Sequence, residues 1–225
     1  MGIARTGPSD YHYLLATEGM ALEPDLVLVG FFLGNDFFPS YGDGTRKPPY
    51  LLRFLRYALK VRPAFTGRTP NRQSYKDAAA SLAPEDYAEI LRRKSVVFRS
   101  DRAFLSEALL DVREPLVAIR DLCASRGVEL VVLLLPDEVQ VDPAARRAFV
   151  DAIPDYDPNA YDYTAPNEAL AALLEDLGID AFDLHPTFWE AGKTETLYKP
   201  RDTHWNLRGN TTAAAAIEEY LLRRM

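Results

Sequence analysis

One cysteine, Cys123, is all the thiol that this chain of 225 residues contains. That excludes an intrachain disulfide and any zinc site built on cysteine. In the amphipathic stretch AIRDLCASRG it reads as a small buried hydrophobe. Histidine is nearly as scarce, and His12, His185 and His204 are too few for a two-metal cage. No apolar run approaches the length that spans a bilayer, and no secretory leader pattern is visible. Basic charge is in deficit, with 26 Lys and Arg against 33 Asp and Glu and a net charge of −7. A dedicated nucleic-acid binder would carry the opposite excess, so nucleic acid is not an expected partner. The pattern calls for no cofactor and no resident metal.

What the chain does have is enough apolar sequence, 48% of residues, to build one sizeable α/β domain over 1–225. Leu26–Leu33 is a short apolar run without alternation, the pattern of a strand buried on both faces of a parallel sheet. VELVVLLLPD supplies a second run, Val128–Leu135, and GIDAFDL a third. Helical patterns lie between them: Tyr11–Gly19, then Asp101–Ser125 with Gly127 as stop signal, then PNEALAALLEDLG. A last helix starts after Asn206, a good N-cap, and runs through TTAAAAIEEYLLRR. Strand and helix in alternation predict a doubly wound parallel sheet with helices on both faces.

Two segments break that rhythm. Residues 37–100 are too long for a simple connection and are expected to form a helical cap or lid. Val139–Thr164 reads as a second, smaller loop at the active site. Between Arg46 and Arg72 there are eight Lys or Arg and no acid. Within that stretch YLLRFLRYALKV sets Arg53, Arg56 and Lys60 on one helical face opposite Leu and Phe. A solvated cap helix accounts for this pattern, and contact with a membrane surface or an acidic polymer is the alternative.

Open α/β sheets bind ligands beyond the carboxyl ends of their strands. Gly34-Asn35-Asp36 follows the first strand at that rim, where Asn35 can offer its amide to a ligand, or simply form a turn. Asp202 and His204 arrive just before the last helix. A carboxylate at one ring nitrogen fixes the tautomer of a histidine and strengthens the other nitrogen as a base. DLHP, with His185, ends the third strand and is read as a hydrogen-bonded structural histidine.

LVLVGFFLGND followed far downstream by LYKPRDTHWNLRGN resembles the SGNH (GDSL-like) hydrolase family. The resemblance implies an SGNH/flavodoxin-like fold and an esterase or acyl hydrolase acting on small-molecule, carbohydrate or lipid esters. It implies His204 as catalytic base, Asp202 as its acid partner, and Asn35 as an oxyanion-hole donor. The opening GIARTGPSDY is similar to the family's glycine block, with Gly7 as the matching residue and Gly2 second. Asp-Thr-His is one residue shorter than the family's Asp-x-x-His, which leaves another acid as an alternative to Asp202. The family's Gly-Asp-Ser block is not in this sequence, so no nucleophilic serine is assigned. That implies a C-terminal portion lacking the first two strands, with the Leu26–Leu33 strand at an open edge suited to self-association.

Two further classes remain as expectations. One is a polysaccharide O-acyltransferase, some of which place their serine after the Asp-Thr-His-Trp block; no serine follows Asp202 here. The other is a non-catalytic binding remnant of the fold. A metal-dependent phosphoesterase is disfavoured, because there the Asp-x-His block comes first and the Asn block ends in histidine.

Overall fold

Three runs of Val, Leu and Phe become parallel strands in a computed structural model that describes residues 7–38 and 79–224. Strand β1 is Leu26–Phe32, β2 Glu129–Leu135 and β3 Asp180–Asp183, hydrogen-bonded in that order. Val29 pairs with Val132, and Leu134 with Asp183. Because side chains alternate along a strand, Val29, Phe31, Val132 and Leu134 enter one core, whereas Leu135 and Phe182 enter the other.

Helices cover both faces. On the larger core lie α1 (Pro8–Thr17), α2 (Pro84–Lys94), α3 (Ala103–Arg126) and α6 (Ala165–Asp176). Leu105, Ala108, Val112, Leu116, Ile119 and Cys123 form the buried stripe of α3 at helical spacing. Gly127, with φ 67°, closes α3 in the left-handed conformation that glycine tolerates. The smaller core is built by α4 (Glu138–Val141), α7 (His185–Gly192) and α8 (Leu207–Leu222), with Tyr220 stacked on Phe182 at 4.4 Å. The fold is therefore the α/β arrangement expected, a parallel sheet with helices on both faces.

Three points differ from expectation. The segment 139–164 is not mainly a loop: Asp142 caps α5 (Pro143–Ala152), whose Ala145, Phe149 and Ala152 are buried at helical spacing. Of the cap expected over 37–100, residues 39–78, with Arg53, Arg56 and Lys60, lie outside the described residues. The described remainder belongs to the body, since Tyr87 and Leu91 of α2, and Val97 and Phe98 after it, are buried in the larger core. Helix α1 begins at Pro8, three residues earlier than expected, because proline suits the first helical position.

Strand β1 has a strand neighbour on one side only among the described residues. Leu28 of β1 is 39% exposed.

Candidate active site

The segment between α7 and α8 folds into a tight hairpin. Lys199 N–H donates to the His204 carbonyl at 3.0 Å, and Tyr198 and Trp205 form an antiparallel bridge. Tyr198, almost fully buried, donates its hydroxyl to the Pro136 carbonyl at 2.7 Å, which fixes the hairpin above the carboxyl end of β2. Trp205 packs on Phe188 at 4.8 Å. Asn206 caps α8 by accepting from Gly209 N–H at 2.9 Å and donates to the Thr196 carbonyl at 2.7 Å. A side chain on Gly209 would meet the Leu197 carbonyl oxygen at 2.3 Å, so only glycine lets the helix start so close to the hairpin.

At the hairpin tip Arg201 has φ 47°, the left-handed region that a non-glycine residue occupies at a cost. Its Nε donates to the Leu82 carbonyl at 2.9 Å, which helps to hold that conformation. The chain then turns so that Asp202 lies inward and His204 outward, with side chains 12% and 81% exposed. Asp202 Oδ1 receives the His204 backbone N–H at 3.0 Å and stands 2.5 Å from Nδ1. One carboxylate oxygen thus holds both backbone and ring across a spacing of two residues.

Burial works against ionisation of Asp202, but the His204 ring, the nearby Ser81 hydroxyl and the His204 N–H outweigh it and leave the carboxyl below its usual range. The Ser81 hydroxyl acts from beyond good hydrogen-bond geometry; its own N–H donates to the Pro200 carbonyl at 3.2 Å. His204 is raised above the ordinary histidine value, first by its bond to Asp202. With Asp202 ionised, Nδ1 carries the proton, and neutral His204 keeps its lone pair on Nε2.

Asn35 sits in the turn after β1, exposed; its backbone N–H donates to the Phe32 carbonyl at 3.2 Å, and its side-chain amide has no hydrogen-bond partner among the described residues. Gly34 beside it packs close, because a Cβ there would lie 2.2 Å from Asp137 Oδ2 and 2.7 Å from the Phe32 ring. Asp36 turns back into the fold and accepts from the Tyr11 hydroxyl at 2.7 Å and from Phe32 N–H at 2.8 Å. Burial pushes its carboxyl up to about 7. Gly7 is the N-cap of α1, and its N–H is taken by Asp10 Oδ2 at 3.2 Å. As folded, that donor is committed to the helix start and is not free for an oxyanion; Gly2 lies outside the described residues.

The sequence reading missed the most heavily buried charges among the described residues. Lys94, Asp137 and Glu138 are each no more than 3% exposed. Lys94 Nζ donates to both Asp137 oxygens at 2.8 Å and to Glu138 Oε1 at 2.6 Å. Burial would lower the lysine, but the two carboxylates outweigh it and keep it charged. Glu138 is pushed up to about 7 by burial and by Asp137, against the pull of Lys94. A signal existed: Pro136-Asp137-Glu138 follows a buried strand, as Gly34-Asn35-Asp36 does. From Asp137 the polar chain continues through Gln140 and Asn167 to Asp183, which accepts the His185 backbone N–H at 2.8 Å. Burial lowers the His185 ring, in keeping with a structural histidine at a helix start.

No group of three or more His, Cys, Asp or Glu side chains among the described residues is arranged to hold a metal ion, and no described helix is long and apolar enough to cross a membrane. A family model described as "SGNH hydrolase-like domain, acetyltransferase AlgX" matches residues 97–224, more than half of the chain. The match includes Asp137, Glu138, Asp202 and His204 but not Gly7, Asn35 or Lys94. No curated protein and no solved structure matches.

Proposed function

The chain belongs to the SGNH hydrolase-like family, and on that premise we propose that it catalyses acyl transfer at ester bonds, with His204 as general base and Asp202 as its partner. The observation that carries this reading is the 2.5 Å contact between His204 Nδ1 and Asp202 Oδ1 on an otherwise exposed imidazole. The ring is fixed on one side and open to a reactant on the other, which a base needs.

In the proposed step Nε2 takes the proton of a hydroxyl group as its oxygen attacks an ester carbonyl. The new C–O bond forms, the carbonyl electrons move onto oxygen, and Asp202 stabilises the imidazolium. Collapse re-forms the carbonyl and expels the leaving alkoxide, which takes the proton back from Nε2. Asn35 is the proposed donor to the oxyanion, supported by its exposed side-chain amide at the rim, which has no partner among the described residues. The match to a domain described as an acetyltransferase favours transfer to an alcohol alongside transfer to water.

The attacking hydroxyl is either an enzyme serine or the acceptor itself. Ser81 does not qualify, because it flanks Asp202, on the Nδ1 side of the imidazole, and a serine nucleophile belongs at Nε2. A serine-reactive fluorophosphonate tests the point: labelling that His204→Ala abolishes means an activated serine, and turnover without labelling means direct attack by the acceptor.

A further inference from the structure

From Phe31 to Phe38 the chain is buried or half-buried except at Asn35, which is exposed at the rim. The turn that presents it is closed twice between the same two residues. Asp36 N–H donates to the Phe32 carbonyl at 3.0 Å, and Phe32 N–H donates to Asp36 Oδ2 at 2.8 Å. Leu33 N–H is spent on the Leu135 carbonyl of β2 at 3.0 Å, so the Phe32 N–H faces away from β2, and the Asp36 carboxylate meets it there. The Tyr11 hydroxyl of α1 donates to the same oxygen at 2.7 Å and fixes the carboxylate in turn. Gly34 leaves no room for a Cβ against Asp137 Oδ2, and Asp137 follows Pro136, to whose carbonyl Tyr198 fixes the His204 hairpin. The turn and the hairpin therefore stand on one rim.

Asp36 is 5% exposed, and a buried carboxylate is a costly way to close a turn that an exposed Asn or Ser closes without that cost. What it adds is a turn held at both ends and anchored to a helix. An oxyanion donor works best when it need not reorganise, so an exposed amide gains from a backbone that does not move. We propose that Tyr11 and Asp36 are positioning residues for acyl transfer, which hold the turn after β1 so that the Asn35 amide stands ready for the oxyanion. The role rests on the proposed function of Asn35. It brings α1 to the site through the Tyr11 hydroxyl, not through the Gly7 N–H.

Turnover of p-nitrophenyl acetate by the full chain tests the role in a double-mutant cycle. Tyr11→Phe removes one hydroxyl, keeps the ring, and is expected to lower kcat about tenfold at nearly constant KM. Asn35→Ala is expected to be slower by roughly 10². In that background Tyr11→Phe is expected to cost nothing further, because the donor that it positions is gone. Asp36→Ala is expected to behave as Tyr11→Phe does. Asp36→Asn, whose amide oxygen can still accept from Phe32 and Tyr11, is expected to recover most of the rate that Asp36→Ala loses. An equal loss from Tyr11→Phe in both backgrounds makes the pair merely structural and overturns the proposal. An unchanged kcat in Tyr11→Phe and Asp36→Ala overturns it too. Should Asp36→Ala fail to fold, the Tyr11→Phe cycle decides alone. A rate that falls in His204→Ala but not in Asn35→Ala overturns the role of the pair and leaves His204 as base. No turnover by wild type removes the acyl-transfer reading, and this role with it.

Discussion

At the scale of single residues, Asp202 is proposed to set the working pH of His204. Its bond to Nδ1 raises the histidine, so the neutral base is lost as pH falls through that raised value. Asp202→Asn removes the charge and frees the tautomer. Ester turnover is expected to fall by roughly 10²–10⁴ and its acidic limb to move to lower pH, measured as kcat/KM against pH. An unmoved acidic limb would mean that Asp202 does not hold the base. Asp-Thr-His-Trp and Asn206 were legible in sequence because they act on near neighbours, Asp202 on His204 and Asn206 on Gly209. Gly7 misled for a related reason: Asp10, three residues on, already claims its N–H, a capping pattern that the sequence displayed.

At the scale of elements, Lys94 ties α2 to the carboxyl end of β2. The tie joins residues 43 and 44 positions apart, and nothing local in Arg92-Arg93-Lys94 announces it. Long-range pairing is what pattern reading misses, whereas the strands and the α3 stripe repeat at short periods and were readable. Lys94→Met leaves two buried carboxylates facing each other and is expected to cost roughly 3–5 kcal/mol by urea unfolding. The sign with pH follows from Glu138, whose folded value is raised from 4.5 to about 7. Stability associated with this group is complete at pH below its unfolded value and is lost as pH rises through the folded one. The variant therefore loses more at pH 8 than at pH 5, and equal losses would show that Glu138 does not titrate in that range. Gly209→Ala forces a methyl into the Leu197 carbonyl and is expected to destabilise by about 1–3 kcal/mol or more.

At the scale of the molecule, the hairpin with His204 stands above the carboxyl end of β2, and β1 has a strand neighbour on one side only among the described residues. The α/β class was readable from three apolar runs and the helices between them; the hairpin that lifts His204 above β2 was not, because Tyr198 fixes it through a carbonyl 62 residues away. Leu28, exposed on a strand without a second neighbour among the described residues, supports self-association through that edge. Leu28→Lys tests that proposal: sedimentation should show less association than wild type with an unchanged melting temperature, and identical sedimentation of the two would remove it.

The central claim is that His204, held by Asp202, drives acyl transfer, and turnover of p-nitrophenyl acetate by wild type and His204→Ala tests it most directly. Wild type is expected to release p-nitrophenol catalytically, with the variant slower by on the order of 10² or more. Equal rates for the two proteins, or no catalysis by wild type, would contradict it.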